Sequence, residues 1–285
     1  MRNLSTTTIA LGLDGPVLNT VDEFGTFWRV PPRGFTGWGE PASTLRPVQK
    51  PRQSGAWAGK SSNVARTIGV SGTITALTPA LLNAAIEQLI TAVTNAAFRF
   101  TVTESGASRW VAARRQGETI AVKVTALVAS FSIQVVSLDS RKFGETLTGS
   151  TLLPVTAGGL TVPFTLPVSI ASTVVSGQIA LFNPGNEVGP VVLRIDGPVG
   201  GPQITHSGTG RPLVFASSLA LAAGEWLTVD MDKRTAMAND QASRSTYITS
   251  REWSGFDPGL NSWGFSATGY DAGAKLTVMA TPASK

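Results

Sequence analysis

Residues 177–234 read GQIALFNPGNEVGPVVLRIDGPVGGPQITHSGTGRPLVFASSLALAAGEWLTVDMDKR. Two short apolar runs, Gln178–Phe182 and Val191–Ile195, flank a turn of Pro, Gly and Asn. Beyond the glycines and prolines of 197–202 come Ile204, then Leu213–Phe215, then a last run at Glu225–Met231. Alternation places Val191, Leu193 and Ile195 on one face, and Leu227, Val229 and Met231 on another, the pattern of half-buried antiparallel strands. Gly197, Gly200 and Gly201 read as turn residues.

The rest of the chain agrees with a β-rich protein. Its 285 residues suffice for two ordinary domains or one large β domain. Only 14% of residues are charged and 42% are hydrophobic, which excludes an intrinsically disordered chain. The 30 glycines and 17 prolines imply many turns between short strands. The absence of cysteine removes disulfides, thiol nucleophiles and cysteine-built zinc sites. No apolar run is long enough to span a bilayer, so no membrane insertion is expected. The first residues make a poor signal peptide, and Asn3-Leu4-Ser5 is a sequon without meaning unless the chain is secreted. Charge is uneven: residues 1–145 hold 15 Lys/Arg against 9 Asp/Glu (+6), and residues 146–285 hold 8 against 9 (−1). The excess centres on Arg29–Arg66, where Glu40 is the only acid. No nucleic-acid-binding motif accompanies it, which favours a solvated face or a subunit contact.

In the first half, Ile9, Leu11 and Leu13 alternate in a first strand, and Phe24–Val30 forms a second that ends at Pro31-Pro32. Residues 31–63 are a long Pro/Gly-rich stretch with Trp28, Trp38 and Trp57 on or near it. It reads either as an arm ordered by a neighbouring subunit or as a loop whose tryptophans fold back onto its own core. Arg66–Ile74 alternates cleanly. Thr78 and Pro79 then open a helix running to about Ala97, with Leu82, Ile86, Leu89 and Val93 as its apolar stripe. Four strands follow, at 98–103, 108–115, 118–124 and 129–136, with Ile120, Val122 and Val124 sharing a face. Arg141–Gly149 is a polar junction. Leu160–Leu166 opens the second half as an alternating strand, 236–245 reads as a polar loop or hairpin tip, and Tyr247–Trp253, Gly264–Thr268 and Lys275–Ala280 are the last strands.

The order of Asn183, Gly185, Asn186, Pro190, Ile195, Gly197, Pro202 and Ile204, then Gly224, Leu227, Val229 and Asp230, resembles the C-terminal domain of siphophage distal tail proteins. Pro258, Gly259 and Asn261 match that family's later turn. The first half resembles its N-terminal ring domain through R-x-I-x-V-x-G-x-I at Arg66–Ile74, the helix behind it, and the closing Asp139-Ser140-Arg141. The resemblance implies a mainly β chain (all-β or α+β): a ring-forming belt domain over 1–145 with one packed helix near 79–97, and a galectin-like antiparallel β-sandwich over 146–285. It further implies a homo-hexameric ring that joins the tail tube to the tip or baseplate. The partners would then be the tail tube protein, the tail hub and the tape measure protein, in a virion component made in the host bacterial cytoplasm.

Candidate chemistry is sparse. His206 is the only histidine, and no G-x-S-x-G accompanies it, so a structural or surface role is expected. Asp230 and Asp232 would lie on one strand face and offer oxygen ligands to a divalent cation, but Lys233 and Arg234 follow directly. No phosphate loop is present. No catalytic, cofactor or metal residue is therefore assigned. Trp253, Phe256, Trp263 and Tyr270 cluster near the end of the chain, and aromatic faces stack on sugar rings. The alternative reading is accordingly a carbohydrate-binding tail protein contacting a host-surface glycan, with Trp253 or Trp263 exposed in a concave polar patch. A tail glycosidase with two facing carboxylates ranks third, and no pair of acids is singled out.

Overall fold

The computed structural model describes residues 7–157, 173–175 and 177–285. The chain forms two compact units, Met1–Gly144 (with the terminal Lys285) and Glu145–Ser284. It is mainly β, with one helix and several antiparallel sheets.

In the first unit, strands Val17–Leu18, Thr7–Leu11, Phe98–Glu104, Ala107–Arg115, Val128–Ser137, Arg66–Thr75 and Phe27–Arg29 lie side by side in that order. The Arg66–Thr75 and Val128–Ser137 strands pair along their whole length, Arg66 with Ser137 through Thr75 with Val128. Alternation buries Ile68, Val70 and Ile74 against Phe131, Ile133 and Val135. The helix Pro79–Ala92 covers this face. Thr78 caps it by accepting the Leu81 N–H at 3.2 Å, with Pro79 in the first turn. Leu82, Ala85 and Leu89 are buried, and Ile86 packs at the margin.

The helix ends at Ala92, five residues before the sequence expectation. The Thr94 carbonyl accepts from the Arg115 N–H at 2.9 Å, and Asn95 Oδ1 accepts from Arg115 Nε at 3.1 Å. These bonds to the neighbouring strand replace the next helical turn. Trp28, Trp38, Phe35 and Phe100 fill the centre of the core, with ring centroids 6.1–6.5 Å apart among the last three.

In the second unit, one antiparallel sheet runs Leu147–Leu152, Lys275–Ala280, Val191–Asp196, Trp226–Asp230, Thr235–Ala238, Ala242–Ser243. The other runs Gln178–Asn183, Gly259–Gly269, Val199–His206, Pro212–Phe215, Ile248–Ser250. Their inner residues share one core, Val191, Leu193, Leu227 and Val278 from the first and Ile204, Phe215, Trp263 and Phe265 from the second. This is the two-layer solution available to sheets with one apolar face each.

Three expectations are corrected here. Gly200 and Gly201 lie within the Val199–His206 strand rather than in a turn. Gly201 takes φ +54°, and a Cβ there would stand 2.4 Å from Thr268 Oγ1, so glycine lets the strand pass its neighbour. The segment 236–245 contributes Thr235–Ala238 to the sheet, because Ala236 and Ala238 are small enough to be buried there. The division between the units does fall within the junction expected at 141–149, but that stretch carries regular structure, with Lys142–Phe143 buried in the first unit and Leu147–Leu152 an edge strand of the second. The strand expected at Leu160–Leu166 lies outside the described residues, as does the Asn3 sequon.

Candidate functional site

Among the described residues, sixteen large apolar side chains are exposed in the first unit and five in the second. Scattered exposed apolar residues are ordinary, but contiguous ones mark contacts. Those of the first unit fall mainly in three places.

The first is an arm within residues 41–65. Ser43–Leu45 pairs with Ser61–Asn63, and Val48–Gln49 with Ala56–Trp57, as a narrow antiparallel ribbon. Its residues are exposed almost throughout, with Leu45 at 56%, Val48 at 58% and Trp57 at 54%. A two-stranded ribbon with no core of its own is marginally stable in water. The arm carries Arg46, Lys50, Arg52 and Lys60 and no acid. Gly59 passes so close to the opposite strand that a Cβ would lie 1.7 Å from the Arg46 carbonyl oxygen. The base is firmly set. Arg66 is buried and donates through one terminal nitrogen to the carbonyls of Gly37 and Gly39, and through the other to Ser140 O at 2.8 Å. Lys142 Nζ donates to Trp38 O at 3.2 Å and lies over the Trp38 ring.

The reading of residues 31–63 as a loop folded back onto its own core holds for one part of it and not for the other. Phe35 and Trp38 fold back into the core, and Trp57 stands out on the arm. The buried anchors Arg66 and Lys142 escape sequence reasoning, because long cations are ordinarily surface residues.

The second place is the strand Ile120–Lys123. It pairs with one half of Val128–Ser137, beyond the point where Ala107–Arg115 leaves it, and pairs with no other strand among the described residues. Ile120, Val122 and Val124 do share a face, as their spacing requires, but that face is exposed with Leu127. An open edge flanked by apolar side chains is a template for added strands. The third is the Val21–Phe27 turn, where Val21, Phe24 and Phe27 are exposed together with Leu77, which packs over Gly25. Asp22 and Glu23 lie in the same turn.

The polar candidates prove structural. His206 is buried, with Nε2 at 3.0 Å from Asn261 Oδ1 and its ring 5.1 Å from that of Trp263. Asp230 ends its strand and Asp232 sits in the following turn, so the two do not share a strand face. Asp230 instead caps the turn. Oδ1 accepts from the Asp232 and Lys233 N–H groups at 3.1 and 2.9 Å, and Oδ2 from Lys233 Nζ at 2.6 Å. Burial pushes the Asp230 carboxyl up, but the Lys233 hydrogen bonds and charge outweigh it and hold it below its ordinary value. No group of three or more His, Cys, Asp or Glu side chains is placed to hold a metal among the described residues. Trp263 and Phe256 are fully buried, their rings 5.9 Å apart. Tyr270 is exposed, and Trp253 is half-buried at the rim of a cleft.

The recurrent asparagines hold the loops. Asn183 is buried, accepts from the Gly185 N–H at 2.8 Å and donates to Glu187 O and Phe256 O. Asn261 accepts from the Asp257 N–H at 3.0 Å and donates to Asp257 O and Gly259 O at 2.7 and 3.0 Å. Each amide stands in for a backbone pair, the role in which asparagine exceeds other residues.

No family model matches this sequence, and no curated protein matches it. Solved structures do. The Dit protein (gp 19.1) of SPP1, described as a paradigm of the hub adsorption apparatus in phages infecting Gram-positive bacteria, aligns over 97% of this chain and 98% of its own, with TM-score 0.64 and 12% identity. The phage P2 baseplate in its activated conformation aligns over 96% of this chain and 97% of its own, with TM-score 0.51 and 10% identity in the calcium form. The strontium form gives 0.50 and 11%. Across nearly its whole length, this chain has the fold of phage hub and baseplate proteins.

Proposed function

We propose that this chain is a structural protein of a phage tail tip that assembles with copies of itself into a ring, a hexamer, through its first unit. The observation that carries the reading is the concentration of exposed apolar side chains on an acid-free arm, an open strand edge and an acid-flanked turn, all in one unit. The shared fold with the SPP1 Dit protein and the P2 baseplate supports it.

The arm and the turn are complementary. Leu45, Val48 and Trp57 with four cations on one copy meet Val21, Phe24, Phe27 and Leu77 with Asp22 and Glu23 on the next. Such a head-to-tail contact uses two different surfaces, so it repeats around a closed ring from one interface alone. The open edge at Ile120–Lys123 adds backbone pairing to a neighbour. In this reading the ring joins tail tube to tip, in contact with the tube, hub and tape measure proteins. The second unit is the galectin-like sandwich, and the chain has no catalytic role.

The test is the mass of the purified full chain by light scattering, with negative-stain images of the same sample. A ring of uniform size is the expected result. A monomer at every concentration, which also fails to assemble when purified tail-tube protein is added, overturns the proposal.

A further inference from the structure

The second unit holds a feature that ring assembly does not use. Two adjoining clefts, of about 170 and 440 Å³, meet at Trp253 and Arg234, where the turn after Trp226–Asp230 faces the segment that follows Ile248–Ser250. The larger falls within the size range of small-molecule sites, about 300–1,000 Å³. Its wall is formed by Arg234, Ser245, Ile248, Arg251 and Trp253, and includes no acidic residue. Neither guanidinium has an ion-pair partner among the described residues, and both side chains are exposed. The smaller cleft continues from Trp253 to Asp232 and Ser254. Ser254 is 4% exposed, and its hydroxyl has no hydrogen-bond partner among the described residues. A buried hydroxyl without a partner is costly unless a ligand or water serves it.

The backbone gives a second indication. Arg234 takes φ +58°, a conformation that glycine or asparagine adopts at much lower cost. The turn thus carries a long cation at a position where local geometry favours a small residue. Strain of this kind concentrates at ligand-binding positions.

The chemistry is divided along the cleft. The two guanidiniums, Arg234 where the clefts meet and Arg251 in the larger one, suit a phosphate or carboxylate group, which they bind in a forked geometry. The indole in the middle suits the apolar face of a sugar ring. The carboxylate of Asp232 on the smaller cleft suits hydroxyl groups. We infer that the Trp253 cleft binds a saccharide bearing an anionic substituent, the ring on Trp253 and the anion between Arg234 and Arg251.

The experiment is calorimetric titration of the full chain with four probes: glucose 6-phosphate, glucuronic acid, glucose and inorganic phosphate. The comparison protein is an Arg234→Asn, Arg251→Gln variant. Asparagine tolerates the left-handed backbone and both positions are exposed, so the variant should melt with the parent. One or both anionic sugars should bind at millimolar concentrations, and glucose and inorganic phosphate about tenfold or more weakly, since a charge-assisted hydrogen bond is worth about a decade. The double variant should lose that advantage. Binding by glucose 6-phosphate alone identifies a phosphate ester, and by glucuronic acid alone a uronate. Three results overturn the inference: no anionic sugar binding, equal binding by the double variant, or inorganic phosphate binding as tightly as the sugars, which would mean an adventitious ion only. Because the clefts belong to the second unit, each of these results leaves the ring proposal standing.

Discussion

Replacing Leu45, Val48 and Trp57 together by serine tests the arm directly. In the isolated chain these side chains are roughly half exposed, and no buried core residue lies on the ribbon that carries them. Their loss should therefore change the stability of the single chain little, within about 0.5 kcal/mol, as for other surface positions. In the proposed ring the same side chains would become buried. Completing the burial of a half-exposed Leu or Val returns about 1 kcal/mol, and of a half-exposed Trp about 1.5 kcal/mol, so each contact should lose about 3–4 kcal/mol. At 1.4 kcal/mol per decade, this is about a 10²–10³-fold weaker association at each contact. Light scattering across a dilution series should show parent rings and variant monomers at the same concentration, with superimposable thermal melts at a dilution where both chains are monomeric. Variant rings at unchanged concentration would refute the arm as the contact. A lowered melting temperature would refute the premise that the arm stands outside the core.

Reversing the acids of the receiving turn, Glu23→Lys with Asp22 left in place as the cap of Phe24 and Thr26, should weaken ring formation most at low salt, read by the same dilution series at two ionic strengths. Asn261→Ala removes an amide that makes three backbone hydrogen bonds and one to His206. It should lower the urea midpoint of the second unit by an amount equivalent to about 2–4 kcal/mol, measured by chemical unfolding. Trp263→Ala, at a fully buried position, should cost about 3–5 kcal/mol in the same measurement. The Asp230–Lys233 pair gives a pH signature. The carboxyl is held below its ordinary 3.8, so its contribution is present above that value and lost as pH falls through the lower folded one. The ammonium is raised above 10.5, chiefly by its hydrogen bond to Asp230, so its contribution is present below that value and lost as pH rises through the higher folded one. Asp230→Asn should therefore cost stability between about pH 4 and pH 10 and converge with the parent in stronger acid. The cost should stay below about 1 kcal/mol, because the Lys233 side chain is 78% exposed.

The contrast between what the sequence discloses and what it withholds has a physical cause. The strands at Arg66–Thr75, Val191–Asp196 and Lys275–Ala280 were legible because one face of each is buried, and burial writes period two into the residues. The motif at Asn183, Gly185 and Asn186 and the turn at Pro258, Gly259 and Asn261 were legible only as a pattern resembling a family. Their chemistry, buried amides replacing backbone partners, joins segments as far apart as Asn183 and Phe256, and spacing along the chain does not encode it. The Asp230–Asp232 pairing failed because period two was carried one residue past the strand end, where the Asp230 cap turns the chain. The arm was ambiguous for a deeper reason. An exposed arm carries apolar residues without a periodic buried face of its own, so Trp38 and Trp57 look alike in the sequence while one enters the core and the other leaves it. The discriminating feature is the buried Arg66, the first residue of its strand. Its hydrogen bonds to Gly37, Gly39 and Ser140 fix where the core ends and the arm begins. An Arg66→Met variant should therefore damage both properties at once, destabilising the first unit by about 3 kcal/mol through three stranded carbonyls and abolishing ring formation by releasing the arm. If thermal melting falls while rings persist at native concentration, the anchoring role assigned to Arg66 is wrong and the arm is held by its partner alone.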